Sequence, residues 1–199
     1  MDHWGGRVVK GVKTFLFEVG RTKQGEQLIV TFKANELADE LIRWHRINYR
    51  WHHDDTIRSY TEKELRPRGN RGKRVDFAYF NRASKYFGYD QFEEHRVQRN
   101  KLICLWDPST DGDNFGEHNP CLILVRFREY EDMLDMNVVF RKRDLLKRMV
   151  GNWAMLTTWL FNESSMRERK PGVITDYSME CVYDRNEWER LYTEAKKGK

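Results

Sequence analysis

The chain has no long apolar run. No stretch approaches the ~18 residues that a membrane span needs, so a membrane protein is not expected. No secretory leader is visible either. Met1-Asp2-His3-Trp4-Gly5 opens without a positive segment followed by an apolar one, and an intracellular, cytoplasmic protein is expected. Cysteine is scarce. Cys104, Cys121 and Cys181 are three, an odd number, and none sits in a Cys-x-x-Cys spacing. That argues against a disulfide framework and against a zinc site, and for free thiols in a reducing compartment. Internal repeats and low-complexity tracts are missing too. Apolar residues make up 39% of the chain, below the usual share, and charged residues 34%, above it.

What is present still describes a globular protein. Aromatic residues make up 14% of the 199 residues, enough for a sizeable core in one domain spanning residues 1–199. The formal net charge is +5 and the pI about 9.1, which suits an anionic ligand such as a nucleotide or nucleic acid. Residues 27–32 alternate and are β-branched, which predicts a strand. Asn35 is the expected N-cap of a helix reaching Tyr49, with Glu36 and Asp39 facing its dipole. Residues 77–87 are aromatic and predicted to pack in the core. Asp90 opens a short helix. Residues 101–106, 122–127 and 134–140 read as strands, the last two as a hairpin. Residues 107–118 form a polar loop punctuated by Pro108, Gly112 and Gly116. A helix is expected over 144–161, a turn at Gly172, a strand over 173–183 and a closing helix over 186–195. Strands and helices mix without a regular βαβ repeat, so the predicted class is α+β.

Two segments invite a functional reading and a plainer one. In 44–53, His52 and His53 could bind a metal, or Trp44 and Trp51 could stack on bases. The plainer account, an amphipathic helix end with its aromatics in the core, is preferred, and no metal site is assigned. Residues 66–74 carry five basic residues in nine, and Pro67, Gly69 and Gly72 deny them a helix. This loop could touch phosphate or nucleic acid. A solvated loop is the preferred reading.

Three residues further on could carry chemistry. Cys121 follows Pro120 at the start of a strand, at the mouth of the polar loop. Its thiolate would be a nucleophile, and nearby arginines would favour that form; the alternative is a buried structural cysteine. Arg141 ends a strand three residues before Asp144. A guanidinium beside helix N–H groups suits a phosphate; the alternative is a surface ion pair of little value. Asn152 lies in a helix among apolar neighbours, where asparagine is disfavoured. Its carbonyl can accept from a ring N–H while its NH₂ donates to a ring carbonyl, the pair of groups that uracil presents. Satisfaction by backbone or water is the alternative.

Taken together these residues resemble thymidylate synthase, most closely its shorter archaeal branch, in a family that includes the pyrimidine nucleotide hydroxymethylases. The likeness runs from about Phe77 to Tyr183. It rests on Asp90-Gln91, Trp106-Asp107-Pro108, Pro120-Cys121, Arg141-Lys142-Arg143-Asp144, Asn152, Pro171-Gly172 and Tyr183, in the family's order. The resemblance implies a thymidylate synthase-like mixed sheet packed with helices. It implies that Cys121 adds to carbon 6 of a pyrimidine nucleotide monophosphate. Carbon 5 then attacks the one-carbon unit of 5,10-methylenetetrahydrofolate. Arg141 would hold the phosphate, and Arg99 would reach it from the other subunit of a homodimer with shared sites. Asp144 would line the site beside the base, Asn152 would select uracil, and Tyr183 would bond the sugar hydroxyl.

The chain departs from the family pattern at several places. Asn100 replaces the second arginine of a pair, and Lys142 replaces the serine after the phosphate arginine, where its charge could serve the phosphate. Leu122 and Cys181 replace two histidines, and the chain ends soon after Tyr183. These changes bear on the folate and reductive halves of the reaction. Three functions are carried forward: conversion of dUMP to dTMP, a pyrimidine nucleotide 5-hydroxymethylase, and a relative that binds nucleotide or nucleic acid without catalysis.

Overall fold

A computed structural model describes residues 11–49, 79–86, 88–98, 102–108, 111 and 120–197. In chain order it holds α1 (Val12–Arg21), β1 (Leu28–Lys33), a 3₁₀ turn (Ala34–Glu36), α2 (Asp39–Asn48) and α3 (Tyr79–Asn81), which runs on as a π turn (Arg82–Tyr86). There follow α4 (Gln91–Val97), β2 (Ile103–Cys104), β3 (Leu122–Tyr130), β4 (Met133–Phe140), β5 (Arg143–Asp144), α5 (Met149–Met166), β6 (Lys170–Ser178), β7 (Cys181–Val182) and α6 (Arg185–Lys196).

The main sheet has the order β1-β6-β4-β3-β2, and β5 and β7 form a second, two-stranded sheet. β3 and β4 are the expected hairpin, with longer strands than predicted. Their link is the tight turn Glu131-Asp132, and Glu131 takes the left-handed conformation, φ 53°. β4 and β6 pair in parallel, and α5 is the crossover that parallel pairing requires. All other pairs in the main sheet are antiparallel. Leu134, Met136, Val138 and Phe140 alternate inward along β4 and meet α5. α5 is buried nearly all round from Met149 to Leu156, because the sheet covers one side and α2 packs on another. Trp153 and Trp159 are the largest fully buried side chains of this core.

Several expected boundaries shift, each for a local reason. Asn35 lies inside the 3₁₀ turn and caps nothing; α2 starts at Asp39, and Glu36 pairs with Lys33 instead. The expected helix at 144 begins at Met149. The Leu145 N–H donates to the Val182 carbonyl, so residues 143–144 ladder with β7 before the helix can start. The strand predicted over 173–183 is two strands in two sheets, parted at Met179 and Glu180. Gly172 belongs to β6 rather than to a turn. Asp135 sits so close that an added Cβ would meet its Oδ1 at 2.1 Å. The 101–106 strand shrinks to Ile103–Cys104. α1 has no counterpart among the sequence expectations. The residues 51–53 and 66–74 lie outside the described residues.

Candidate active site

The site residues gather where β3 begins and β4 ends. Cys121, half-buried, stands beside Arg141 across the hairpin, and the Arg141 N–H donates to the Cys121 carbonyl at 2.8 Å. Arg141 is exposed, and its guanidinium lies 5.6 Å from the centre of the Trp106 ring. Two segments of the motif series thus meet. Trp106 is held by its neighbours: buried Arg82 donates to the Leu105 carbonyl and pairs with Asp111, which also accepts from the Asp107 N–H at 2.7 Å. The Asp90-Gln91 pair supports the same region. Asp90 caps α4, and the Gln91 amide bonds both the N–H and the carbonyl of Cys104, serving as an edge partner for β2.

Beyond Arg141 the chain turns under the site. Lys142 is ion-paired with Glu180 at 2.8 Å, both about half exposed, so its charge is shared with that carboxylate. Asp144, half-buried, accepts from the N–H groups of Leu146 and Lys147 and shapes the turn into α5. Burial holds its carboxyl above the ordinary carboxylate value, against the N–H bonds and the Lys147 charge that pull it down. Asn152 occupies the first turn of α5, where its N–H bonds the Arg148 carbonyl. Asn152 as a residue is 5% exposed. Tyr183 follows β7, directly after the residue paired with Asp144. Its backbone is clasped by Gln24. Arg99 lies outside the described residues.

Tyr79 was not singled out in the sequence, where the aromatic run 77–87 reads as core. Its ring packs edge-on against Phe140, and its hydroxyl lies where charge on Cys121, Arg143 and Arg148 is felt. Burial of the hydroxyl, then the neighbouring Cys121, raises it well above the ordinary phenol value, so Tyr79 is a neutral donor at physiological pH. Cys181, two residues before Tyr183, is a buried thiol pushed up to about 12 by desolvation, and is neutral as well. No group of three or more potential metal ligands occurs among the described residues, and no described helix is long and apolar enough to cross a membrane.

The arrangement supplies a half-buried thiol, an exposed guanidinium on an aromatic ring, and a nearly buried asparagine one turn into the helix that follows. No family model matches the chain. None of the curated proteins matches it in sequence. Among solved structures it is similar to thymidylate synthase from T4 phage, with a TM-score of 0.50 and 18% identity over 58% of this chain. The match spans 42% of that enzyme's length. The fold is therefore an α+β, thymidylate synthase-like fold, as the sequence resemblance implies.

Proposed function

We propose that this chain, as a single domain, binds a pyrimidine nucleotide monophosphate and transfers to it a one-carbon unit from 5,10-methylenetetrahydrofolate. The simplest case is dUMP to dTMP, in the manner of the short archaeal-type branch that the sequence resembles. The observation that carries the reading is the Cys121–Arg141 pair at the strand ends, with the nearly buried Asn152 on the helix that follows. Cys121 sulfur would add to carbon 6 of the base, moving the carbon 5–carbon 6 π pair onto carbon 5 and making it nucleophilic toward the one-carbon unit; loss of the carbon 5 proton and departure of the thiolate would then restore the ring. Arg141, backed by Trp106, takes the phosphate, and Lys142 and Arg99 add positive charge. Asn152 reads the uracil edge, Asp144 lines the site beside the base and Tyr183 meets the sugar.

A second reading draws on Cys181. A buried, neutral thiol stands where the family pattern has a histidine, which supports a hydroxymethyl product completed by water rather than hydride.

A cytoplasmic homodimer is part of the proposal. Strand register lines up Ile29, Tyr177, Val139 and Leu124 in one apolar row across the sheet face turned away from α5. Ile29 is 49% exposed, and the others are half-buried. A second copy laid on this face would cover the row.

The test is to incubate the protein with dUMP or dCMP and methylenetetrahydrofolate and weigh the nucleotide. Thymidylate supports the first reading and a hydroxymethyl nucleotide the second. Retained nucleotide binding without turnover contradicts both and leaves a non-catalytic binding protein. Sedimentation as a monomer contradicts the dimer.

A further inference from the structure

The peptide groups on either side of Trp106 go to one ion pair. β2 ends at Cys104, whose N–H and carbonyl are both taken by the Gln91 amide, and the Leu105 N–H still reaches the Ile123 carbonyl of β3 at 2.9 Å. Beyond that point side chains hold the backbone. Arg82 Nε donates to the Leu105 carbonyl, in the peptide group before Trp106. The Asp107 N–H, in the peptide group after it, donates to Asp111 Oδ2 at 2.7 Å. The same Asp111 oxygen accepts from Arg82 Nη2. The Asp111 N–H closes the turn on the Asp107 carbonyl at 2.8 Å.

This pair is placed where charge is costly. The Arg82 side chain is 2% exposed and the Asp111 side chain 6%. Apolar side chains of similar volume often fill such a site with no loss of stability. They would have nothing to offer the two peptide groups. What the pair fixes is therefore the backbone of Trp106, and Trp106 is not a core residue. It is half-buried, and its ring lies 5.6 Å from the guanidinium of exposed Arg141. A ring packed on all sides is held by its neighbours; a ring at the rim stays in one place only if the backbone under it is ordered. Arg141 is tied to the site from the other direction, through its N–H to the Cys121 carbonyl.

We propose that Arg82 and Asp111 are positioning residues of the Arg141 site: a buried ion pair that sets the peptide groups on both sides of Trp106 and so holds the indole against the Arg141 guanidinium. A guanidinium held before its ligand arrives has less freedom to lose when an anion binds. The placement of Trp106 depends on no ligand. Its service to a phosphate rests on the nucleotide reading given above.

The first test is fluorine NMR of the protein labelled with 5-fluorotryptophan, without nucleotide. The Trp106 resonance is the one missing from Trp106→Leu. Arg141→Ala moves it, because the guanidinium lies on the ring. The double variant Arg82→Met/Asp111→Leu replaces the ion pair by apolar side chains, and circular dichroism checks that it is folded. In it the Trp106 resonance shifts toward the position of a solvent-exposed tryptophan, and Arg141→Ala no longer moves it. Asp111→Asn keeps the shape and loses the charge, and shifts Trp106 the same way by a smaller step. The second test is binding of dUMP and of deoxyuridine, which lacks the phosphate. The double variant binds dUMP roughly 2–5-fold more weakly, as Trp106→Leu does, and deoxyuridine as before. Added to Trp106→Leu, it weakens dUMP binding no further.

The proposal is overturned if Arg141→Ala leaves the Trp106 resonance in place in the unaltered protein, or moves it as far in the double variant. It is also overturned if neither Asp111→Asn nor the double variant shifts Trp106. Weakening that extends to deoxyuridine, or that adds to Trp106→Leu, overturns it too, because a pair that only stiffened the fold would act in that way. Asp111→Asn keeps the test open to failure if the double variant does not fold. Absence of dUMP binding by the unaltered protein, with the expected fluorine pattern, would count against the proposed function and not against this role for Arg82 and Asp111.

Discussion

The Arg141 guanidinium lies 5.6 Å from the centre of the Trp106 ring, joining the end of β4 to the loop after β2. A ring in this position holds the side chain out and ready while leaving its N–H fork free for an anion. Replacing Trp106 by leucine should weaken dUMP binding by roughly 2–5-fold, the worth of a partly exposed cation–π contact. Arg141→Ala should cost roughly 10–100-fold, as expected for losing charge-assisted hydrogen bonds. Calorimetric titration with dUMP measures both. Equal affinity for Arg141→Ala and the unaltered protein would remove Arg141 from the site.

Asp176 governs stability, as the completely buried partner of Arg143 at 2.7 Å and the acceptor of the Trp153 indole N–H. Asp176→Ala leaves Arg143 buried without a counter-charge and should cost about 3–5 kcal/mol, a large part of an ordinary domain's stability. Trp153→Phe removes one hydrogen bond to the same carboxylate while keeping most of the ring. It should cost about 1.5–3 kcal/mol. Urea denaturation of the two variants gives the order, with Asp176→Ala the more damaging. The reverse order would mean that the indole, not the ion pair, holds this part of the core.

Gly20 sits in α1 against the Trp188 indole of α6, where an added Cβ would come within 2.2 Å of a ring carbon. The Trp188 Nε1 donates to the Leu16 carbonyl, so the ring is not free to swing away. Gly20→Ala, ordinarily favourable in a helix, should here destabilise the protein by about 1–3 kcal/mol through overpacking. A rise in melting temperature would show that α1 and α6 are packed less closely than described.

Burial raises the Asp144 carboxyl, which gives a pH signature. Between the ordinary carboxylate value and its raised value the folded form holds more protons than the unfolded one. Its contribution to stability therefore falls as pH rises through that window and is level above it. Asparagine can make the same turn-capping bonds without the charge. Asp144→Asn should be at least as stable as the unaltered protein at neutral pH, with the difference vanishing in acid. Denaturation curves at the two conditions read this out, and a neutral-pH loss confined to the variant would show that the carboxylate charge is needed by the fold.

Much of the framework was legible from patterns of period two and 3.6. The β3–β4 hairpin, the Asp90 cap and α6 come from local chemistry that acts within a few residues. The misplaced boundaries come from long-range pairing. Residues 143–144 look like the first turn of a helix, and only the distant β7 makes them a strand. α1 has no counterpart among the sequence expectations, and its packing on α6 through Gly20 and Trp188 joins residues far apart in the chain. At the site, Cys121, Arg141 and Asn152 stood out because each residue type is unusual in its local setting. Tyr79 did not, since one tyrosine in an aromatic run looks like any other core residue. Arg143 and Asp176 sit on different strands, and no local pattern relates them.

The central claim is that the Cys121 thiol, the Arg141 guanidinium and the Asn152 amide serve one nucleotide. A crystal structure of the protein with dUMP tests it directly. Carbon 6 of the base should lie about 3–3.5 Å from the Cys121 sulfur, as a reacting pair must, with the phosphate on Arg141 and the uracil edge on Asn152. A nucleotide bound elsewhere, or bound here with its base turned away from Cys121, would contradict the account.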